Sequence, residues 1–160
     1  MTKMNTKMNT KMNTKMNTIA QRQKKIVVEF AALADWEDRY KRIIELGKKL
    51  PAFPEALKTE QLKVKGCQSQ VWLKAELAEN GEIIFTGDSD AILVKGLLAL
   101  VLQVFSQTKP QELLEAPMDF LKELGLESHL SPSRSNGVFS MIKQMRLYAQ
   151  AFLMMEKSKA

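Results

Sequence analysis

The chain has 160 residues, a formal net charge of +6 and a single cysteine. A chain of this length is ordinarily one domain that buries roughly two thirds of the surface its unfolded form exposes, so neither disulfides nor metals are needed to hold it together. One cysteine excludes an internal disulfide and a site built from several thiolates of the same chain, and it is typical of a reducing compartment.

Much of the positive charge belongs to the first 18 residues, which repeat Thr-Lys-Met-Asn with a period of four. Their four lysines are part of the 24 basic residues, and the other 20 face 18 acidic residues, so residues 19–160 carry only +2. Nucleic-acid binding normally needs a basic face with interleaved aromatic residues. Residues 19–160 show neither, so we expect no nucleic-acid partner.

The hydropathy pattern predicts a soluble chain. Its longest uncharged run, residues 96–108, has 13 residues, whereas a membrane span needs about 20. The N-terminus has lysines but lacks the apolar segment of a signal peptide. We therefore expect a cytoplasmic protein with no membrane partner.

The repeat, residues 1–18, is predicted to be a disordered tail ahead of a single domain over residues 19–160. A period of four overshoots the helical turn by about 40°, so the methionines form no compact apolar face on a helix. The expected interpretation is a repeat that has no role in the fold. Because the thioether sulfurs of methionine are soft metal ligands, a copper-binding tail is the alternative.

Two helices open the domain in chain order. Helical periodicity begins at Ile19, and Asp35 is the expected N-cap of a second helix. Pro51 and Pro54 end this helical pair, and residues 51–61 are predicted to form a loop.

Strand signals follow the loop. Apolar and polar residues alternate from Val71 to Leu77, and Asn80-Gly81 is a two-residue hairpin turn before residues 83–85 return. Val64 predicts a short third strand. The pattern therefore indicates a small antiparallel sheet of three strands.

An apolar helix comes next. Asp88 or Ser89 is the expected cap of a helix from about Ser89 to Gln107, in which Lys95 is the one charged residue after Asp90. Because this helix is apolar nearly all round, it is predicted to be the buried centre of the fold.

Further helices complete the chain: two short pieces around residues 111–114 and 119–124, and a last helix that begins within residues 131–137, where Pro132 suits a first turn. Together the elements predict an α+β domain of two layers, with the three-stranded antiparallel sheet packed against several helices.

The lone cysteine, Cys67, lies between Gly66 and the polar residues Gln68 and Ser69, just ahead of the apolar strand. These neighbours place it at the mouth of a loop beside a hydrophobic surface, where a partner can reach a thiol that is shielded from bulk oxidants. We expect an inward-pointing thiol, sheltered against Val71 or the central helix and released by a partner. A buried, inert cysteine is the alternative.

Several chemistries are open to a reactive thiol at this position. A Cys–His pair requires a base, and the single histidine, His129, lies in a polar connection that does not mark it as one. No second metal ligand, dinucleotide fingerprint or phosphate loop accompanies Cys67. A thiol that accepts a group and passes it on is open as well, because attack by a thiolate on a sulfur atom needs only thiolate character, access and in-line approach. A thiol redox sensor is a further alternative.

Several segments carry a family resemblance: VKGCQSQVWL at Val64–Leu73, GDSDAILVKGLLALV at Gly87–Val101, and HLSPSRSNG at His129–Gly137. ADWEDRYKRIIELGKKLP at Ala34–Pro51 and the spacing of 23 residues from Cys67 to Asp90 support them. In this order the segments resemble the SufE family, SufE and CsdE, which are sulfur acceptors of bacterial cysteine desulfurases. The resemblance extends from about Ile26 to Ala151.

The resemblance implies a two-layer SufE/NifU-like α+β fold, which iron–sulfur scaffold proteins share. It also implies that Cys67 bears a persulfide and that Gly66, Gln68 and Ser69 form its loop. Asp90 and Arg134 would lie in the surrounding surface that responds to the partner.

The implied function is that of a sulfur acceptor and carrier. The chain would take persulfide sulfur from a SufS-like or CsdA-like cysteine desulfurase, stimulate that enzyme, and pass the sulfur to an iron–sulfur scaffold such as the SufBCD complex. Pyridoxal phosphate would belong to the desulfurase, so this chain is expected to bind no cofactor or metal and to act as a sulfurtransferase-like acceptor rather than a stand-alone enzyme. The sequence does not decide whether the chain forms a homodimer. It also leaves a function of another class open, that of an iron–sulfur or metal-binding scaffold of the related fold.

The chain departs from the family pattern in two places. Family members often have an arginine and an asparagine ahead of the cysteine, where this chain has Lys58 and Leu62. The N-terminal repeat has no family counterpart. Neither departure touches the cysteine motif.

Overall fold

The computed structural model describes residues 18–159. The predicted tail lies outside these residues except for Thr18, whose hydroxyl oxygen accepts a hydrogen bond from the Gln21 N–H at the start of the first helix. The elements, in chain order, are α1 (Ile19–Ala31), α2 (Trp36–Lys48), β1 (Val71–Leu77), β2 (Ile83–Ser89), α3 (Ile92–Phe105), α4 (Pro110–Glu115), α5 (Phe120–Glu123), α6 (Leu126–His129) and α7 (Pro132–Lys159).

The first two helices form as their sequence predicts. Asp35 is the N-cap of α2 and accepts a hydrogen bond of 2.9 Å from the Asp38 N–H. The acidic residues in this first turn also interact favourably with the helix dipole. The predicted loop over residues 51–61 contains one single turn of 3-10 helix, Glu55–Leu57, and a second such turn, Glu60–Leu62, ends one residue beyond it.

The sheet of the described residues has two strands, so the prediction of three is wrong. β1 and β2 pair antiparallel from Val71 opposite Ser89 to Leu77 opposite Ile83. The expected third strand is reduced to one bridge between Lys63 and Trp72. A 3-10 turn ends at Leu62 and the cysteine loop follows almost at once, which leaves too few extended residues for a strand.

Helix α3 is the buried centre of the domain, as predicted. It packs against α2, β2 and α7, and α7 also packs against α4 and β1. Two glycines let α2 and α3 cross closely: a Cβ on Gly47 would lie 2.7 Å from the Gly96 backbone nitrogen, and a Cβ on Gly96 would collide with the Ile43 carbonyl oxygen. This close crossing gives the domain a rigid frame.

The predicted cap of the central helix is wrong. The helix begins at Ile92, and its N-cap Ala91 makes no side-chain capping hydrogen bond. Ser89 instead continues β2 opposite Val71. Ser89 is therefore paired in the sheet, although its preference for helix N-cap positions predicted it at the start of α3.

The C-terminal part of the domain contains one more helix than predicted. α4 and α5 correspond to the two expected short pieces, and α6 follows after Gly125, which adopts the left-handed conformation with φ 75°. α7 begins at Pro132 as expected, and its buried stripe includes Val138, Met141 and Met145. Within residues 18–159, no helix combines the length and apolar character that a membrane crossing requires.

Candidate functional site

The loop that carries Cys67 is shaped by Gly66 and packs against α7. Gly66 has φ +95°, a conformation that residues with a side chain rarely adopt, and a Cβ there would lie 2.5 Å from the Ser140 hydroxyl oxygen. Both constraints require glycine. The residue before the cysteine therefore holds the loop directly against the last helix.

The Cys67 thiol is half-buried at the edge of the hydrophobic core. Its Sγ lies 3.5 Å from the Gly137 carbonyl oxygen, to which the thiol donates a hydrogen bond. Burial raises the pKa of Cys67 because it disfavours the charged thiolate. The resting thiol is therefore protonated at neutral pH and sheltered by the start of α7.

A polar pocket of about 270 Å³ opens beside this thiol. The loop contributes Cys67 with the two residues that follow it, and the other side comes from α3 and from the start of α7. The pocket thus brings together Cys67 and Arg134, which the chain separates by 67 positions. Its lining residues are Cys67, Gln68, Ser69, Val94, Ser131, Ser133, Arg134 and Gly137.

Arg134 supplies the positive charge of the pocket. Its backbone N–H donates a hydrogen bond of 3.3 Å to the Ser131 hydroxyl in the first turn of α7. Within the described part of the chain, its guanidinium makes no hydrogen bond or ion pair that would fix it elsewhere. An arginine and the N-terminus of a 28-residue helix both favour an anion placed in the pocket.

Asp90 anchors the end of the cysteine loop and is not part of the pocket lining. Its carboxylate accepts a hydrogen bond of 3.0 Å from the Gln70 N–H, and its own N–H donates to the Gln70 carbonyl at 3.2 Å. These two bonds extend the β1–β2 register by one residue beyond the strands. The loop is therefore tied to the frame a few residues after the thiol.

A charged cluster around Asp88 anchors the segment that precedes the cysteine. Asp88 lies 3.2 Å from Lys58 Nζ and 3.2 Å from Lys95 Nζ, and 13% of its side chain is exposed. Burial opposes its ionisation, but the Ser89 N–H and the two ammonium groups outweigh that effect and lower the pKa of Asp88. Lys58 also lies over the Trp72 ring, 5.4 Å from its centroid.

Sequence reasoning missed this cluster. It considered Asp88 only as a helix cap and Lys58 only as a departure from the family pattern. The hairpin register places Asp88 opposite Trp72, but no pattern in the sequence places Lys58 and Lys95 beside it. At Lys58, one of the positions where the chain departs from the family pattern, the side chain forms an anchoring ion pair with Asp88.

His129 makes its contacts away from the thiol. Its ring stacks on Trp36 with centroids 3.9 Å apart and an interplanar angle of 12°, and its Nδ1 lies 3.0 Å from the Gly125 carbonyl oxygen. The Cys67 thiol hydrogen-bonds to Gly137, not to this imidazole. The Cys–His pair considered from the sequence is therefore not formed.

Metal-ligating side chains do not converge in the described region. Among residues 18–159, no group of three or more histidine, cysteine, aspartate or glutamate side chains is placed to hold a metal ion.

Comparison with known proteins identifies the family. The model of the SufE Fe-S metabolism associated domain matches residues 24–149. An uncharacterised SufE-like protein from Rhizobium meliloti (strain 1021) is 44% identical over 133 residues, which cover 81% of this chain and 95% of the relative. The solution structure of a hypothetical protein from Thermus thermophilus shares the fold with a TM-score of 0.69 at 23% identity, over 83% of this chain and 96% of that one. The chain therefore belongs to the SufE family, whose domain is associated with Fe–S metabolism.

Proposed function

We propose that this protein is a sulfur carrier. Cys67 takes persulfide sulfur from a cysteine desulfurase, stimulates that enzyme by removing its product, and passes the sulfur to an iron–sulfur assembly scaffold. The observation that carries the proposal is the pocket that the half-buried Cys67 and the cationic residue Arg134 line together. The family's association with Fe–S metabolism supports the same role.

The proposed transfer is a thiol–persulfide exchange. The Cys67 thiol gives up its proton, and the thiolate attacks the outer sulfur of the cysteine persulfide on the desulfurase. One S–S bond forms to Cys67 while the S–S bond within the desulfurase persulfide breaks, and the desulfurase cysteine leaves as a thiolate that regains a proton. The exchange involves no net oxidation, so no further oxidant, reductant or cofactor takes part.

The pocket suits the product of this exchange. A persulfide on Cys67 adds one sulfur atom beside Sγ, and a pocket of about 270 Å³ has room for it. An ionised outer sulfur would be stabilised by Arg134 and by the hydroxyl groups of Ser131 and Ser133, which line the same pocket. Half-burial would also limit attack on the persulfide by small oxidants.

Transfer requires the thiol to become accessible to both partners. A weak hydrogen bond to Gly137 and packing at the edge of the core hold Sγ in place, and the two bonds between Asp90 and Gln70 fix the end of the loop. We therefore propose that the desulfurase, SufS-like or CsdA-like, draws the thiol outward. Delivery to a scaffold such as the SufBCD complex repeats the exchange with Cys67 as donor. A thiol that must stay reduced suits the cytoplasm.

Sulfur loading tests the proposal. The protein is incubated with a SufS-like or CsdA-like desulfurase and cysteine, and its intact mass is measured. We expect a mass increase of at least one sulfur atom that a thiol reductant removes. Cys67→Ser is expected to gain no sulfur, whereas Ser158→Ala, at the far end of α7, is expected to load like the wild type.

Two results would reject the sulfur-carrier function. One is a wild-type protein that stays unmodified under conditions in which the desulfurase turns over, and the other is equal loading of Cys67→Ser. Anaerobic reconstitution with iron and sulfide tests the alternative class: a stable visible chromophore with the wild type would favour an iron–sulfur scaffold.

A further inference from the structure

A second surface of the domain carries features that sulfur transfer does not use. A groove of about 520 Å³ runs between α7 and the segment that contains α4, and we call it the α7 groove. None of its lining residues belongs to the Cys67 pocket. Its lining residues are Leu114, Met118, Phe139, Ile142, Lys143, Arg146, Leu147 and Gln150.

The α7 groove exposes large apolar side chains. Phe139 is 44% exposed and Leu147 is 49% exposed, although both lie on a helix whose opposite side is fully buried at Met141 and Met145. Leu114 and Met118 form the facing wall and are partly buried against the core. Single exposed apolar residues are ordinary, but several that converge on one concave surface mark an interaction site.

The polar residues of the α7 groove carry one sign of charge. Lys143 and Arg146 line it and no acidic residue does, and neither of the two forms an ion pair within the described residues. A second copy of this chain would bring the same two cations together, so the charge opposes self-association through this surface. The apolar floor with a cationic rim is instead complementary to an acidic partner.

The dimensions indicate the shape of that partner. Residues 139–150 extend roughly 16 Å along α7, which is about three turns of a helix. Phe139, Lys143 and Leu147 follow one another at intervals of four, so the surface presents alternating apolar and basic contacts along one side of α7. An amphipathic helix with apolar residues at i, i+4 and i+7, flanked by acidic residues, matches this spacing.

We propose that the α7 groove docks an acidic amphipathic helix of a partner protein. The helix lays its apolar face on Phe139 and Leu147, and its carboxylates pair with Lys143 and Arg146. The partner binds through a surface distinct from the Cys67 pocket, so docking leaves the thiol free to react. This inference does not depend on the sulfur chemistry, because it concerns binding alone.

A peptide-binding experiment tests the proposal on the full chain. The probe is a fluorescent, helix-stapled peptide of about four turns with leucines at i, i+4 and i+7 and glutamates at its other exposed positions, and a second peptide carries lysines in place of the glutamates. We expect the glutamate peptide to bind the wild type at least about tenfold more tightly than the lysine peptide, and more weakly as salt rises.

Variants of the groove make the test specific. Leu147→Ser is expected to weaken binding of the glutamate peptide about tenfold, whereas Leu77→Ser, at a leucine that is also 49% exposed but lies in β1, leaves it unchanged. The double variant Lys143→Glu/Arg146→Glu is expected to reverse the preference toward the lysine peptide. Lys24→Glu/Lys25→Glu, which makes the same change in net charge on α1, is expected to keep the wild-type preference.

Each contrary outcome overturns the proposal. These outcomes are no binding of the glutamate peptide, equal binding of the two peptides, or equal loss of binding in Leu147→Ser and Leu77→Ser. Tighter binding of double-stranded DNA or of phosphatidylserine vesicles than of the glutamate peptide would assign the groove to another class of partner. A wild-type dimer that Leu147→Ser dissociates would assign it to self-association. Sulfur loading of Cys67 is measured separately, so failure here leaves the sulfur-carrier function unaffected.

Discussion

Two regions of this molecule are held in place in different ways. Ten of the 14 residues of α3 are buried, and its neighbours pack on it from several sides. The contacts that attach the loop with Cys67 include Gly66 against Ser140, the thiol against Gly137, and the two hydrogen bonds between Gln70 and Asp90. The proposed sulfur-carrying thiol therefore lies on a loop that is attached to a rigid frame through a small set of contacts, and we expect the loop to open locally before the domain unfolds.

The frame is expected to show the largest effect on stability. Leu98 is fully buried in α3, so Leu98→Ala should lower the free energy of unfolding by about 2–5 kcal/mol through lost burial and a cavity. Leu77→Ala, at a leucine that is 49% exposed, should change it by about 0.5 kcal/mol or less. Urea unfolding followed by circular dichroism measures both, and similar effects of the two variants would contradict the description of α3 as the centre of the frame.

The Asp88 cluster should give the next largest effect. Asp88→Asn leaves Lys95 without its carboxylate partner and Lys58 with Glu55 alone, and solvent screens part of the loss because these lysine side chains are 35% and 22% exposed. We expect a decrease of about 1–2 kcal/mol in the free energy of unfolding. Glu37→Gln, which removes a largely exposed pair with Lys41 and one favourable charge at the start of α2, is the control and should cost less, about 0.5 kcal/mol.

The pH dependence of unfolding checks the same cluster. Folding lowers the pKa of Asp88, so its ionised form stabilises the protein above the unfolded carboxyl pKa, and this contribution is lost as the pH falls through the folded pKa. Between about pH 6 and about pH 3, the wild type should therefore lose more stability than Asp88→Asn. Parallel stability curves would show that the ion cluster contributes nothing to the anchoring of the Lys58 segment.

Changes at Asp90 should affect the loop more than the frame. Asp90→Ala removes the acceptor of the Gln70 N–H and should cost about 1 kcal/mol or less, because the site is exposed. The rate at which iodoacetamide alkylates Cys67 should rise several-fold, since the end of the loop is released. Asp90→Asn keeps a carbonyl acceptor and should stay close to the wild-type rate. Equal rates in all three proteins would show that Asp90 does not hold the loop.

The smallest expected effect is the shift of the Cys67 pKa itself. Burial raises this pKa, so the pH midpoint of alkylation in the native protein should lie above the midpoint of the same protein in urea. The urea-unfolded sample is the internal control because it contains the same single thiol. A native midpoint at or below the unfolded one would indicate a thiol that is already activated at rest.

The sequence predicted the frame because its signals are local. Asp35 marks the start of α2, Asn80-Gly81 marks the hairpin turn, and the unbroken apolar pattern of α3 marks the buried helix. The errors occur where tertiary pairing overrides local preference. Ser89 has the chemistry of a helix cap and pairs with Val71 instead, and the extended residues near Val64 are too few for a strand.

The candidate site was predictable only in part. Cys67 and its loop follow from the residues around it, but the approach of Arg134 depends on how α7 packs against the loop, which no local pattern encodes. The contact of Asp90 with Gln70 was accessible in principle, because one further step of the hairpin register places them opposite each other. The ion pairs of Asp88 with Lys58 and Lys95 required the folded structure, since side-chain pairing across a sheet face depends on the loop ahead of β1.

The most direct test of the sulfur-carrier account is a single-turnover transfer. A desulfurase is loaded with persulfide, freed of excess cysteine and mixed with this protein, and the sulfur on each protein is followed by peptide mass analysis over time. The account predicts that one sulfur atom leaves the desulfurase as one appears on the peptide that contains Cys67. Sulfur that stays on the desulfurase, or that appears on this chain away from Cys67, would contradict it.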